Sequence, residues 1–118
     1  GRWGEALAYQ FLLSEYPGWT VRWVNMQGET RASYDLEVSS PNGNMHETMF
    51  VEVKTTAHGD RNAFEISLSE WEFAAKARRQ YSIFRVTNAG LPGRTQIFVM
   101  NDPYRAVQEH RLSLCIVY

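Results

Sequence analysis

Hydrophobic and polar positions alternate along this chain with two different periods. From Gly1 to Glu15 apolar residues such as Ala6, Leu7, Tyr9 and Leu13 recur at helical rather than alternating spacing, and Pro17-Gly18 ends the run. From Trp19 to Asn25 the period becomes two: Trp19, Val21 and Trp23 share one face, and Thr20, Arg22 and Val24 take the other. A polar loop, Met26 to Ser33, leads into a second alternating run, Tyr34-Asp35-Leu36-Glu37-Val38. Ser39 to Asn44 is a turn signal, and Met49 to Thr56 is a further strand rich in apolar and β-branched residues.

The second half of the chain predicts a short strand at Phe64–Ser67 and then a helix from Glu70 to about Gln80. Ser67 with Glu70, and Ser69 with Glu72, both match a capping box at the start of that helix. Trp71, Ala74 and Ala75 fall at core spacing, and the small alanines suit close packing on a sheet. Tyr81–Thr87 and Thr95–Met100 are strands around the turn Asn88 to Gly93, Pro103–Glu109 is a short helix, and Leu112–Tyr118 is a closing strand. The order of helices and strands points to a mixed α/β or α+β fold, read as a single domain over residues 1–118 excised from a larger protein.

The central run, Met49 to Thr56, carries the chemistry. Alternation puts Met49, Val51 and Val53 on one face and Phe50, Glu52 and Lys54 on the other. A glutamate and a lysine thus project together from a segment that otherwise resembles core, and charges are buried only when paired or bound to a metal. A hairpin through Ser39–Asn44 brings Asp35 near Glu52, with Lys54 alongside. Two carboxylates and one lysine on adjacent strands make a candidate divalent-cation site that activates water.

Composition narrows the classes. Apolar residues make up 44% and aromatics 14%, which describes a globular chain. No apolar run approaches the roughly 18 residues of a membrane span, and no signal-peptide pattern is visible. The lone cysteine, Cys115, lies in an apolar run and reads as a buried structural thiol, which fits an intracellular setting, nucleus or cytoplasm. The net charge of −1 argues against a broad electrostatic grip on nucleic acid. Ten arginines stand against only two lysines, Lys54 and Lys76. Most arginines read as solvated surface; Arg31, in the loop bordering Asp35, is a candidate phosphate contact. His46, His58 and His110 lack metal-ligand spacing.

The ordered set Gly1-Arg2-x-Gly4-Glu5, Tyr34-Asp35, Val51-Glu52-Val53-Lys54-Thr55-Thr56 and Ser69-Glu70-Trp71-x-Phe73-Ala74 resembles the PD-(D/E)XK nuclease superfamily. Within it the set is most like the restriction-endonuclease-like C-terminal domain of the NO VEIN protein family. Tyr34 stands where the superfamily name expects proline, which is not a ligand. The resemblance implies a restriction-endonuclease-like core of helix, strand meander, helix and strand. It also implies a metal-dependent nuclease domain acting on DNA or RNA as an appendage of a larger protein, with Glu5 reaching the metal directly or through water.

Elementary chemistry supports the same assignment. Mg²⁺ or Mn²⁺ held by Asp35, Glu52 and the Val53 backbone carbonyl would lower the pKa of water and neutralise phosphate charge. Lys54 would orient or deprotonate the attacking water, or stabilise transition-state charge. Two readings of Asp35, Glu52 and Lys54 remain open on residues alone: this catalytic one, and a buried structural ion pair with a spectator acid. Glu5 is equally well placed for the helix dipole, Gly4 for close packing of the helix on the sheet, and Thr55 and Thr56 for strand propensity or for a phosphate contact. A catalytically silent nuclease-like module, binding nucleic acid or a protein partner, is the alternative function.

Overall fold

The structure is a computed structural model that describes residues 1–24, 32–59 and 62–116. Its elements are α1 (Arg2–Glu15), β1 (Thr20–Trp23), β2 (Leu36–Ser39), β3 (Met49–Thr55), α2 (Leu68–Ala77), β4 (Tyr81–Thr87), β5 (Gln96–Asn101) and α3 (Pro103–Gln108), with short 3-10 turns at Met45–Glu47 and Arg78–Gln80. The strands form one five-stranded mixed sheet in sequence order, β1-β2-β3-β4-β5. All neighbours are antiparallel except β3 and β4, which run parallel because α2 carries the chain back between them. The fold is mixed α+β.

The two faces of the sheet bury different helices. On one, Ala8 and Leu12 of α1 pack on Leu36, Val38, Val51, Val53, Phe84 and Val86, the face that alternation assigns to Val51 and Val53. On the other, Ala74 of α2 joins Tyr81 and Ile83, with Tyr34, Phe50 and Phe73 packed against them. Every residue of β4 is buried, as expected of a strand with a neighbour on both sides and a helix over each face. Gly4 fixes the approach of α1: a Cβ there would lie 1.9 Å from Thr55 Oγ1, so only glycine lets the helix sit this close to β3.

Several expectations change in three dimensions. Residues 64–67 are not a strand; Phe64 and Ile66 pack on the α2-side core without joining the ladder, and the chain then enters α2. The helix starts at Leu68, and the Ser67–Glu70 pair forms its capping box, which leaves Ser69 and Glu72 out of that role. Leu112–Ile116 form no strand: after α3 the chain runs on without pairing to the sheet and is mostly exposed, and the last two residues lie outside the described set. Cys115 is exposed rather than buried, because the segment around it lies open to solvent. The end of the first predicted strand at Asn25, and the loop with Gly28, Glu29 and Arg31, also lie outside the described residues. Among the described residues, no helix is long and apolar enough to cross a membrane.

Candidate carboxylate–lysine site

Strand direction determines where the charged residues meet. The register Leu36↔Val51 makes β2 antiparallel to β3, so the residue entering β2 lies beside the residues leaving β3. Asp35 therefore reaches Val53: its backbone N–H donates to the Val51 carbonyl at 2.8 Å, and its Oδ2 accepts the Val53 N–H at 2.8 Å. An extended residue presents N–H and C=O on the same edge, so Val53 also turns its carbonyl toward Asp35. Glu52 and Lys54 project from β3 on the α2 side, as alternation requires, with Lys54 Nζ 3.2 Å from Glu52 Oε2. Glu37 points to that side as well, but its partner is Arg22 across the β1–β2 ladder.

The first turn of α2 closes over this end of β3. Glu70 Oε1 accepts from Ser67 N–H at 2.9 Å and from Lys54 Nζ at 2.9 Å. The sequence accounts for Glu70 through its cap, and the family resemblance puts Ser69 and Glu70 near the rim of the site; the contact with Lys54 becomes visible only once α2 lies on the sheet. Beneath the cluster, Tyr34, Phe50, Phe73 and Tyr81 form an aromatic floor with ring centroids 4.8–5.6 Å apart. Tyr81 Oη donates to the Ser33 carbonyl at 3.1 Å and so ties down the chain just before Asp35.

This apolar floor governs the protonation of the site. Glu52 is only 6% exposed, and its pKa is pushed up to about 9, by burial first and then by the Asp35 charge. Burial also raises Asp35, with the Glu5 charge adding to it and the Val53 N–H opposing it. For Lys54 burial alone would lower the pKa, yet the hydrogen bond to Glu70 and the charges of Glu52 and Glu70 raise it. Glu70 goes the other way: burial opposes ionisation, but the Ser67 N–H and Lys54 hold it below the ordinary carboxylate value. Burial thus favours the protonated form of Glu52, while the mutual contact of Lys54 and Glu70 favours the charged form of both.

Glu5 reaches the same end of the sheet from the opposite face. Gly4 against Thr55 brings the first turn of α1 there, and Glu5 Oε1 accepts the Trp23 indole N–H at 2.9 Å. Trp23 thus serves the core and also orients an acid, a second role that its alternation did not reveal. Among the described residues, no three His, Cys, Asp or Glu side chains form a ready cation cage. The Asp35 charge acts on Glu52, and the Glu5 charge acts on Asp35. Two carboxylates with raised proton affinity are hard oxygen donors suited to Mg²⁺, which is commonly bound by one or two carboxylates and several waters. The donor set fits in kind.

Two threonines and an arginine complete the surroundings. Thr55 faces α1, with its hydroxyl buried against Gly4 on the side away from Lys54, so a phosphate contact through it is ruled out by its orientation. Thr56 Oγ1 accepts the His58 N–H at 3.2 Å and shapes the loop after β3. Arg85 pairs with Lys54 in the β3–β4 register, is buried, stacks 5.3 Å from the Phe64 ring and donates to the Ala63 carbonyl at 3.3 Å. The clue in the sequence was the same as for Glu52, a charge inside an apolar strand.

The fold and site define an α+β domain whose mixed sheet, flanked by helices, gathers one buried glutamate, half-buried carboxylates and one lysine at the end where β2 begins and β3 leaves. The chain belongs to the family described as Protein NO VEIN, C-terminal, whose model matches residues 4–100. It is 32% identical to Protein NO VEIN of Arabidopsis thaliana over 120 residues, covering 99% of this chain and 4% of that protein. It is 37% identical to Protein NO VEIN-LIKE of Arabidopsis thaliana over 87 residues, covering 73% of this chain and 13% of that protein. The chain thus spans only a small part of these curated relatives. No solved structure matches it.

Proposed function

We propose that this domain is a metal-dependent nuclease-type module of the PD-(D/E)XK kind, hydrolysing phosphodiester bonds of DNA or RNA. The observation that carries the reading is the convergence of Asp35, Glu52 and Lys54 at one end of the sheet, with Lys54 Nζ 3.2 Å from Glu52. Asp35, Glu52 and the Val53 carbonyl would hold Mg²⁺ or Mn²⁺, with Glu5 as an outer acid. The ion supplies charge neutralisation at phosphate and a more acidic water. Asp35 is oriented for this by the Val53 N–H, and the aromatic floor keeps bulk water from one side of the carboxylates. Lys54 orients the attacking water or offsets the charge that develops on the phosphoryl oxygens.

The test is direct. Purified protein should cleave single- or double-stranded nucleic acid with Mg²⁺ or Mn²⁺, and Asp35→Ala or Lys54→Ala should abolish cleavage. Calorimetric titration with Mn²⁺ should show binding that Asp35→Ala removes; no heat with the wild-type chain would refute the metal site. A second reading is a catalytically silent module that binds nucleic acid or a protein partner. The net charge of −1 favours it, because it provides little basic footprint for non-specific affinity. Binding of nucleic acid without cleavage under any of these conditions would select it.

A further inference from the structure

We propose that Glu70 is a positioning residue for Lys54, an inference that rests on reading Asp35, Glu52 and Lys54 as a hydrolytic site. The geometry is a shared acceptor: Glu70 Oε1 takes both the Ser67 N–H and the Lys54 ammonium, each at 2.9 Å. The reciprocal bond, Glu70 N–H to Ser67 Oγ at 3.1 Å, closes the capping box. The carboxylate is thereby locked by its own helix terminus and presented to the lysine in one rotamer. A capping box accounts for Ser67 and Glu70; it does not call for a lysine from another element on the same oxygen.

A lysine needs such a restraint to act with precision. Its ammonium rides on a flexible four-carbon stem, and placement within a fraction of an ångström governs how well a group assists a reaction. Glu52 also touches the ammonium, but in the hydrolytic reading Glu52 is committed to the cation. Glu70 is then the carboxylate left to hold Lys54 in place. Because α2 links β3 to β4, its first turn stays over the end of β3, and the helix becomes the support that aims the lysine.

Glu70→Gln tests this, since glutamine preserves the capping box and removes the charge. Lys76, exposed on the same helix, is the only other lysine and serves as an internal reference. Acylation by an N-hydroxysuccinimide ester, read by peptide mass spectrometry, should accelerate several-fold at Lys54 relative to Lys76. Ser67→Ala, which keeps the carboxylate and loosens its cap, should give a smaller rise. On nucleic acid with Mn²⁺, Glu70→Gln should lower kcat roughly 10- to 100-fold, with Mn²⁺ affinity little changed. An unaltered Lys54 to Lys76 ratio overturns the pairing, and an unaltered kcat in a protein that cleaves overturns the positioning role. If the wild-type chain does not cleave while the acylation ratio still rises, the hydrolytic reading fails and the pairing stands.

Discussion

Gly4 and Thr55 lie in such close contact that no side chain fits between α1 and β3 at this point: a Cβ on Gly4 would fall 1.9 Å from Thr55 Oγ1 and 3.0 Å from Thr55 Cβ. The residue after Gly4 is Glu5, and two residues before Thr55 is Val53, whose N–H holds Asp35. One steric relationship therefore sets the distance between the helix-borne acid and the strand-borne site.

Gly4→Ala should destabilise the fold by about 1–3 kcal/mol, the usual cost of overpacking. Urea unfolding measures it. Combining Gly4→Ala with Thr55→Gly should recover part of the loss beyond what the single variants add up to, because the clash is removed from the other side. Simple additivity would show that the helix escapes the clash by shifting.

Glu52 should make stability fall as pH rises. Its folded pKa, about 9, lies above the ordinary 4.5, so the folded state keeps a proton that the unfolded chain releases. The stability from this group is fully present below pH 4.5 and is lost as pH climbs to about 9. Glu52→Gln removes that slope. Urea midpoints between pH 5 and pH 9 should show the wild-type chain losing on the order of a few kcal/mol more than the variant.

Cation binding should release a proton. If Mn²⁺ binds at Asp35 and Glu52, it must displace the proton that Glu52 carries at neutral pH, so affinity should rise with pH toward about 9. Calorimetry in two buffers of different ionisation enthalpy reads this as a buffer-dependent heat. Identical heats in both would exclude Glu52 as a ligand.

Tyr81→Phe should cost about 1 kcal/mol by removing the hydrogen bond to the Ser33 carbonyl while the aromatic floor stays filled. Thermal denaturation gives the loss. Because Ser33 precedes Asp35 by two residues, the same substitution should weaken Mn²⁺ binding, and unaltered binding would show that Asp35 is held by Val53 alone.

Ser67→Ala should cost about 1 kcal/mol of stability through loss of the helix cap. Circular dichroism during urea unfolding checks it. A cost near zero would mean that the Glu70 carboxylate on the Ser67 N–H maintains the helix start unaided.

Alternation alone located Glu52 and Lys54 on one face of β3, because a strand's side chains have no freedom in period. The turn at Ser39–Asn44 was enough to bring Asp35 to them. The helical run of α1 was legible for the same reason, and so was the capping box that starts α2. The segment 64–67 was misread because its apolar content matches a strand, whereas Phe64 and Ile66 are used to pack on the core under α2 and pair with no strand. Cys115 was misread because an apolar run is buried only where a surface remains to receive it.

Local pattern thus determined most of the elements, the faces of β3 and the charged trio, since period and turn chemistry are properties of neighbouring residues. Only the tertiary structure decided that Glu70 joins Lys54, that Trp23 orients Glu5, that Arg85 lies beside the site and that Glu52 holds its proton to about 9. The reason is that these outcomes depend on helix placement over a sheet and on the low polarity it creates. Both arise from contacts between residues far apart in the chain.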